Sequence, residues 1–331
     1  MASPLKFKLN TGAEMPAIGM GCWAGFSEEE AEGAVSWFLS ALKAGYRHFD
    51  TAWLYGTEKY LGEAIRRSGV PREELWINTK LPWHHPAIKT VEESLDESLR
   101  TLGIDYVDSY LMHWPQVVDW PDDVGALELL RGAYKLFQEG KQSITVKDWP
   151  TFNETWKGME AVYRKGKARN IGVSNFSIKT LEKLLETAEV VPAINQVEPD
   201  GPYSGPDDRY CRMHPYLVQE DLKAYCNAKG IRLVAYTATG YSAVLTNPAI
   251  VDLAAKYEAS PAQVVLAWHL ARGVIVVPKS ADPQRQRDNL NLPTLDTEDV
   301  RRISALDRNE RYNKAGPDGK VNGWTYEQLG W

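Results

Sequence analysis

The chain is poor in cysteine and has no long apolar run, and both absences limit what it can be. Its three cysteines, Cys22, Cys211 and Cys226, are odd in number and lack metal-ligand spacing. They read as reduced thiols in a cytosol rather than a disulfide framework. No stretch of about 18 apolar residues occurs, so no membrane-spanning helix is expected. The opening Met-Ala-Ser-Pro-Leu-Lys-Phe-Lys lacks the apolar core of a secretion signal, and the closing Gln-Leu-Gly-Trp is no peroxisomal or prenylation signal. A cytoplasmic protein is therefore expected. Basic residues form no run or stripe and the net charge is −6, which argues against a nucleic-acid surface. His84, His85 and His214 lack the spacing of metal ligands, so no metal is assigned.

What is present is the composition of an ordinary globule, 44% hydrophobic and 25% charged. From Ala17 onward, strand-like runs at residues 18–21, 48–50, 75–80, 108–113, 168–174, 193–198, 232–236 and 274–278 alternate with helical patterns. Segments 28–44, 91–102 and 261–271 place apolar residues three and four apart, as one buried helix face requires. Eight such units favour a parallel sheet closed on itself, a (β/α)8 TIM barrel, and all 331 residues are read as one domain. A hairpin is expected over about 5–17. Long connections at about 116–150 and 199–215, with the tail at about 312–331, leave for the face where a barrel carries its site.

Four residues at or near predicted strand ends make a proton-delivery set: Asp50, Tyr55, Lys80 and His113. A phenol has an unperturbed pKa of about 10, so it needs a nearby cation to become a useful acid at neutral pH. Lys80 can be that cation, Asp50 can hold it, and His113 can donate to the substrate oxygen.

Ala44-Gly45-Tyr46-Arg47-His48-Phe49-Asp50-Thr51-Ala52, His113-Trp114-Pro115, Ile171-Gly172-Val173-Ser174-Asn175-Phe176, Asn195-Gln196-Val197-Glu198 and Val277-Pro278-Lys279-Ser280 follow in order. With these words the chain resembles the aldo-keto reductases from about Gly12 to about Asp307. The resemblance implies a hairpin plugging the barrel bottom and an extended NADPH groove, with NADH less favoured. It also implies reduction of a small-molecule carbonyl substrate without a metal. Tyr55 would be the general acid, Lys80 and Asp50 would tune it, and His113 would orient the carbonyl. Ser174, Asn175 and Gln196 would hold the nicotinamide carboxamide, and Tyr236 would stack on the ring. Lys279, Ser280, Arg285 and Asn289 would take the phosphate and adenine end, with Asp282 and Asp288 among those cations.

The cofactor groove would further include Cys22, Trp23 and Asp50. The loop Thr237-Ala238-Thr239-Gly240 stands where the family has Ser-Pro-Leu-Gly, a departure at the pyrophosphate contacts expected of Thr237, Thr239 and Gly240. Trp23, Leu54, Tyr55, His113, Trp114 and Trp324 would line the substrate pocket. Pro82 interrupts the family's Lys-Leu-Trp, so the direction of the Trp83 indole is open.

The competing reading of Gly19-x-Gly21-x-x-Ala24 is a dinucleotide fingerprint followed by the acidic Asp50. Against it, Gly25-Phe26-Ser27 delay the helix, and the units do not stop at six. The expected activity is reduction of small, sugar-derived aldehydes or ketones by a monomer or weak dimer. Uronate, keto-ester or polyol chemistry is an alternative, as is a non-catalytic NADPH-binding barrel subunit.

Overall fold

A computed structural model of the chain describes residues 5–84, 90–120, 125–128, 131–132, 135, 144–197, 214–236, 238–309 and 318–331. Thr237, Cys211, His85, most of the 199–215 connection, parts of 116–150 and residues 312–317 of the tail lie outside the described residues.

Eight parallel strands form the barrel: β1 Met20–Gly21, β2 His48–Asp50, β3 Trp76–Leu81, β4 Ser109–Met112, β5 Ile171–Ser174, β6 Ile194–Val197, β7 Arg232–Tyr236 and β8 Ile275–Val277. Sequence neighbours are spatial neighbours throughout. The ring is joined between its first and last strands by a parallel bridge from Ile18 to Val276, and the Gly19 amide donates to Val276 O at 2.8 Å.

This seam explains the two glycines that mimic a dinucleotide fingerprint. A Cβ on Gly21 would stand 2.7 Å from Val277 O, and one on Gly19 would stand 2.5 Å from the His48 ring. Both residues are small because backbone and imidazole press on them at barrel closure, and neither opens a helix.

The helices on the outside start where the sequence supplies caps. Ser27 caps α1 (Glu28–Ala44), Thr90 caps α3 (Val91–Leu102) and Thr151 caps α4 (Phe152–Arg164), each reciprocated by a glutamate three residues on. α2 (Glu58–Ser68) lies between the first two, and α5 (Ile178–Leu185) and α6 (Glu220–Ala228) follow. Such caps contribute on the order of 1 kcal/mol apiece.

α7 (Pro248–Lys256), α8 (Pro261–Ala271), α9 (Pro283–Leu290) and α10 (Thr297–Ser304) complete the shell. For α8 the single buried face expected from spacing is wrong, because Val264 to His269 are all buried. Leu266 packs with Val274 and Val276 of the barrel, whereas Val264, Val265 and Trp268 pack with Ile250, Leu253 and Ile303. The helix is a middle layer between the barrel and α7 and α10, so periodicity cannot show a solvent face. Among the described residues, no helix is long and apolar enough to cross a membrane.

An antiparallel hairpin, Lys6–Lys8 with Glu14–Pro16, closes the lower end. Its buried Leu9 and Met15 join Trp76, Leu111, Ile194, Val234 and Ile275, side chains that point into the barrel. At the upper end the tail crosses the base of the long β4 connection, where Gln116 Nε2 donates to Asn322 O at 3.2 Å.

His48 sits in the barrel wall, fully buried, with Nδ1 3.1 Å from Pro16 O. Burial pushes its pKa down to about 4. A histidine depressed in the folded state stabilises the fold above its free value of about 6.5 and loses that contribution as pH falls below it. Glu58 has the opposite sign, because burial holds it up to about 7 and the folded state takes its proton first. The native curve therefore hides the histidine, and a comparison exposes it. The stability lead of the native chain over His48→Asn should narrow by about 2 kcal/mol between pH 7 and pH 5 in denaturant unfolding. A constant lead would mean that the imidazole titrates in the folded chain as it does in the unfolded one, and a widening lead that it is charged when folded.

Candidate active site

Strand register brings the polar set together. In the β2–β3 pairing, Asp50 is opposite Asn78, so Lys80 lies one inward position further along β3. Lys80 Nζ donates to Asp50 Oδ2 at 2.9 Å, to Thr51 O at 3.0 Å and to Tyr55 Oη at 3.4 Å. Tyr55 ends the 3-10 turn Trp53–Tyr55, and the ammonium is 4.8 Å from its ring centre.

Asp50 Oδ1 accepts from Gln196 Nε2 at 2.7 Å and from Asn78 Nδ2. A carboxylate only 2% exposed is thus compensated by one ion pair and two amides.

β4 ends at Met112, one residue before His113, whose ring meets Tyr55 edge-on at 5.8 Å. Burial holds its pKa well below 6.5, and the positive charge of Lys80 pushes it the same way. The imidazole is therefore neutral, able to donate through one nitrogen. Its Nδ1 is buried with no hydrogen-bond partner among the described residues.

Behind these groups runs a ledge of short polar side chains. Asn175, held at φ 65, donates from Nδ2 to His113 O at 2.8 Å, and its Oδ1 accepts from Tyr236 Oη at 3.0 Å. Ser174 Oγ donates to the Gln196 backbone carbonyl at 2.8 Å, and Gln196 Oε1 is buried without a hydrogen-bond partner among the described residues. None of Ser174, Asn175 and Gln196 is among the residues lining the cavity; they lock the tetrad's surroundings from behind.

A cavity of about 820 Å³ opens over this set. Its lining includes the aromatic-rich set Trp23, Leu54, Tyr55, Trp83, His113 and Trp114, and the polar set Lys279, Ser280, Arg285, Asp288 and Asn289. Cys22, Asp50, Tyr236 and Thr239 line it as well. Burial, chiefly, and the neighbouring Asp50 push the Cys22 thiol pKa well up, so it stays protonated.

Gly240, at φ 70, precedes a short helix, Tyr241–Leu245, and is not a lining residue. Neither is Trp324, which is spent in a two-strand hairpin with Lys320–Val321. The tail's contribution beside Trp114 is Trp331, with ring centres 6.1 Å apart. Trp83 points to the site despite the interposed Pro82, near-parallel to His113 at 6.4 Å.

Phe26, Ser260 and Ala262 also line the cavity and had no sequence signal of their own. Ser260-Pro261 reads only as a helix start, which it also is. Asp282 is the cap of α9, accepting from the Arg285 amide at 2.8 Å, so its charge is turned into the helix start. Among the described residues, no three His, Cys, Asp or Glu side chains are grouped to hold a metal ion.

Residues 17–308 match the family described as the aldo/keto reductase family. The chain belongs to the aldo/keto reductase family. It is 41% identical over 307 residues to glycerol 2-dehydrogenase (NADP(+)) of Saccharomyces cerevisiae, covering 91% of this chain and 90% of that protein. It is 39% identical over 310 residues to aldehyde reductase YPR1 of the same yeast, covering 92% of each. Among solved structures, the aldose reductase from Schistosoma japonicum superposes with a TM-score of 0.80 at 27% identity, over 98% of this chain and 99% of that one. As an aldo/keto reductase, the chain is an oxidoreductase on the (β/α)8 scaffold.

In this aldo/keto reductase the buried pair has a measurable structural role. Lys80→Met leaves Asp50 uncompensated and should cost about 3–5 kcal/mol of unfolding free energy. The double variant Asp50→Asn, Lys80→Met should recover most of that loss, because no buried charge is left. Equal losses in the single and double variants would show that the pair is not the source.

Proposed function

We propose that this enzyme reduces small aldehydes and ketones, sugar-derived ones included, to alcohols with NADPH, with Tyr55 as the general acid. The observation that carries the reading is the 3.4 Å contact between Lys80 Nζ and Tyr55 Oη at the aromatic-rich lining of the cavity. Tyr55 would give its proton to the carbonyl oxygen, and the adjacent ammonium would stabilise the phenolate left behind. Neutral His113 would donate to the same oxygen and fix its direction. Trp23 and Trp114 would exclude water from the reacting carbonyl.

The groove fits a nicotinamide dinucleotide by its own chemistry. Gln196 Oε1, an unused acceptor just behind the lining with Ser174 and Asn175 beside it, would take a carboxamide N–H that reaches past the lining, and the half-buried Tyr236, which does line the groove, offers a flat ring. Cationic Lys279 and Arg285, with Ser280 and Asn289, suit a phosphate and adenine end, and Thr239 lines the same groove. When bound, the dinucleotide supplies the hydride. NADPH is favoured over NADH because the groove lining carries two cations, Lys279 and Arg285, that could pair with a 2′-phosphate, and because the yeast relative's name carries NADP(+).

That relative, a glycerol 2-dehydrogenase, also favours a second reading in which the same site oxidises small polyols. Both directions use the same residues. The buried, free Cys22 and Cys226 agree with a cytosolic setting, and a monomer or weak dimer completes the proposal.

A panel of aldehydes with NADPH, and of polyols with NADP(+), tests the assignment. Tyr55→Phe should cut turnover by roughly 10²–10⁴-fold while binding cofactor normally. A near-native rate would remove Tyr55 as the acid.

For cofactor choice, Arg285→Ala should weaken NADPH far more than NADH in fluorescence titration, since only NADPH offers a phosphate for the guanidinium fork. Equal losses for the two would place Arg285 elsewhere.

A further inference from the structure

The stretch of chain that presents Tyr55, from Thr51 to Glu58, is gripped at both ends by two consecutive residues of β3. Inside the barrel, Lys80 Nζ donates to Thr51 O at 3.0 Å. On the opposite face of the strand, Thr79 Oγ1 donates to Glu58 Oε1 at 2.6 Å. Between the two grips the hydroxyls of Thr51 and Thr57 meet at 3.2 Å and close the loop at its base.

Glu58 is 3% exposed, and nothing in the proton-delivery scheme uses it. A carboxyl buried this deeply costs free energy that an apolar residue would not. Its position as the first residue of α2 recovers part of this, through the positive end of the helix.

We infer that Glu58 is a positioning residue, and that its contact with Thr79 sets how closely the Tyr55 hydroxyl approaches Lys80. The inference rests on Tyr55 being the general acid. Adjacent residues of a strand point to opposite faces, so Thr79 and Lys80 act as the two sides of one clamp with a fixed backbone between them. The Tyr55–Lys80 contact, at 3.4 Å, is already near the limit of a hydrogen bond. Releasing the Glu58 end allows the first turn of α2 and the 3-10 turn before it to move outward, and a small displacement uncouples the phenol from the ammonium.

The groups facing Glu58 are Thr79 from β3, Ser98 and Glu97 from α3, and Tyr110 from β4, with the charge of Lys80 acting from the other side of β3. Burial, first, and the like charge of Glu97 hold the carboxyl up to about 7, against the hydrogen bond of Thr79, the nearby Ser98 hydroxyl and the charge of Lys80. At neutral pH it is close to half protonated, so glutamine is a fair replacement: its carbonyl can accept from Thr79 and its amide can face Ser98.

The test uses the full chain with a reactive aldehyde in one direction and its alcohol in the other. Thr79→Val keeps the shape and removes the donor. It should lower kcat by roughly 10–100-fold, the scale of a small misplacement, with KM and NADPH affinity nearly unchanged. The pH midpoint of alcohol oxidation, which follows the phenolate, should move up by about half a unit or more, because Lys80 then stabilises it less. Thr79→Ser should restore both readouts, Glu58→Gln should retain both, and Glu58→Leu should behave like Thr79→Val. If Glu58→Leu does not fold, the Thr79 variants decide.

A Thr79→Val enzyme with native kcat and midpoint overturns the inference, and so does a loss of kcat with an unmoved midpoint. Tyr55→Phe run alongside separates the two failures. An active Tyr55→Phe defeats the acid assignment itself, whereas an inactive one beside a native Thr79→Val defeats only the strut.

Discussion

Everything in this enzyme is arranged around an ammonium that has been taken out of water. Lys80 is fully buried inside a barrel, and such a charge persists only if the surrounding backbone brings it compensating groups with little freedom to move. The barrel does this by register. β2 supplies Asp50, β3 supplies both Asn78 and Lys80, and β6, across the ring, supplies Gln196 to the same carboxylate oxygen that Asn78 reaches. Slipping any of these strands by one residue would turn its polar side chain out to the helices and an apolar one in. The pair therefore depends on the closed sheet, and Gly19 and Gly21 at the seam let the sheet close.

The polar layer has neighbours of a different kind above and below. Beneath it the inward residues are apolar, and Leu9 and Met15 of the hairpin seal that end. Above it the walls are mostly aromatic. Lys80 is itself fully buried beneath the cavity, so its interaction with Tyr55 acts through a medium that screens less than water. Neutral His113 follows from the same cause, since burial and Lys80 both oppose its protonation.

Much of this was legible in the sequence because it is carried by strands. The positions of eight strand runs, the hairpin and the helix spans 28–44, 91–102 and 261–271 follow from local pattern, and the convergence of Asp50, Tyr55, Lys80 and His113 from that pattern together with the family words that flank them. What was not legible depends on contacts between segments far apart in the chain. α8 is buried all round, and only the presence of α7 and α10 outside it says why. Trp331 rather than Trp324 meets Trp114, because Trp324 is committed to its own small hairpin with Val321. Glu58 carries no motif; its importance lies in the Thr79 hydroxyl opposite it, 21 residues away.

The division between strand-borne and loop-borne parts has a chemical consequence. Asp50 and Lys80 are fixed by sheet register, with Tyr55 on the turn after β2 and His113 just past β4, whereas the cavity walls come from places unrelated in sequence: Phe26 before α1, Trp83 after β3 and Trp114 after β4, with Trp331 of the tail packed on Trp114. These walls are fastened to each other as well as to the barrel. Arg131 of the long β4 connection donates to Phe26 O at 2.6 Å, and Leu127 of the same connection sits where a Cβ on Gly56 would be, 2.7 Å away. Gly56, the residue after Tyr55, is thus bare for two reasons, its left-handed φ of 64 and the leucine pressed on it. Changes in the connection that alter which substrate fits must therefore keep this one contact, because it bears directly on the backbone that presents the phenol.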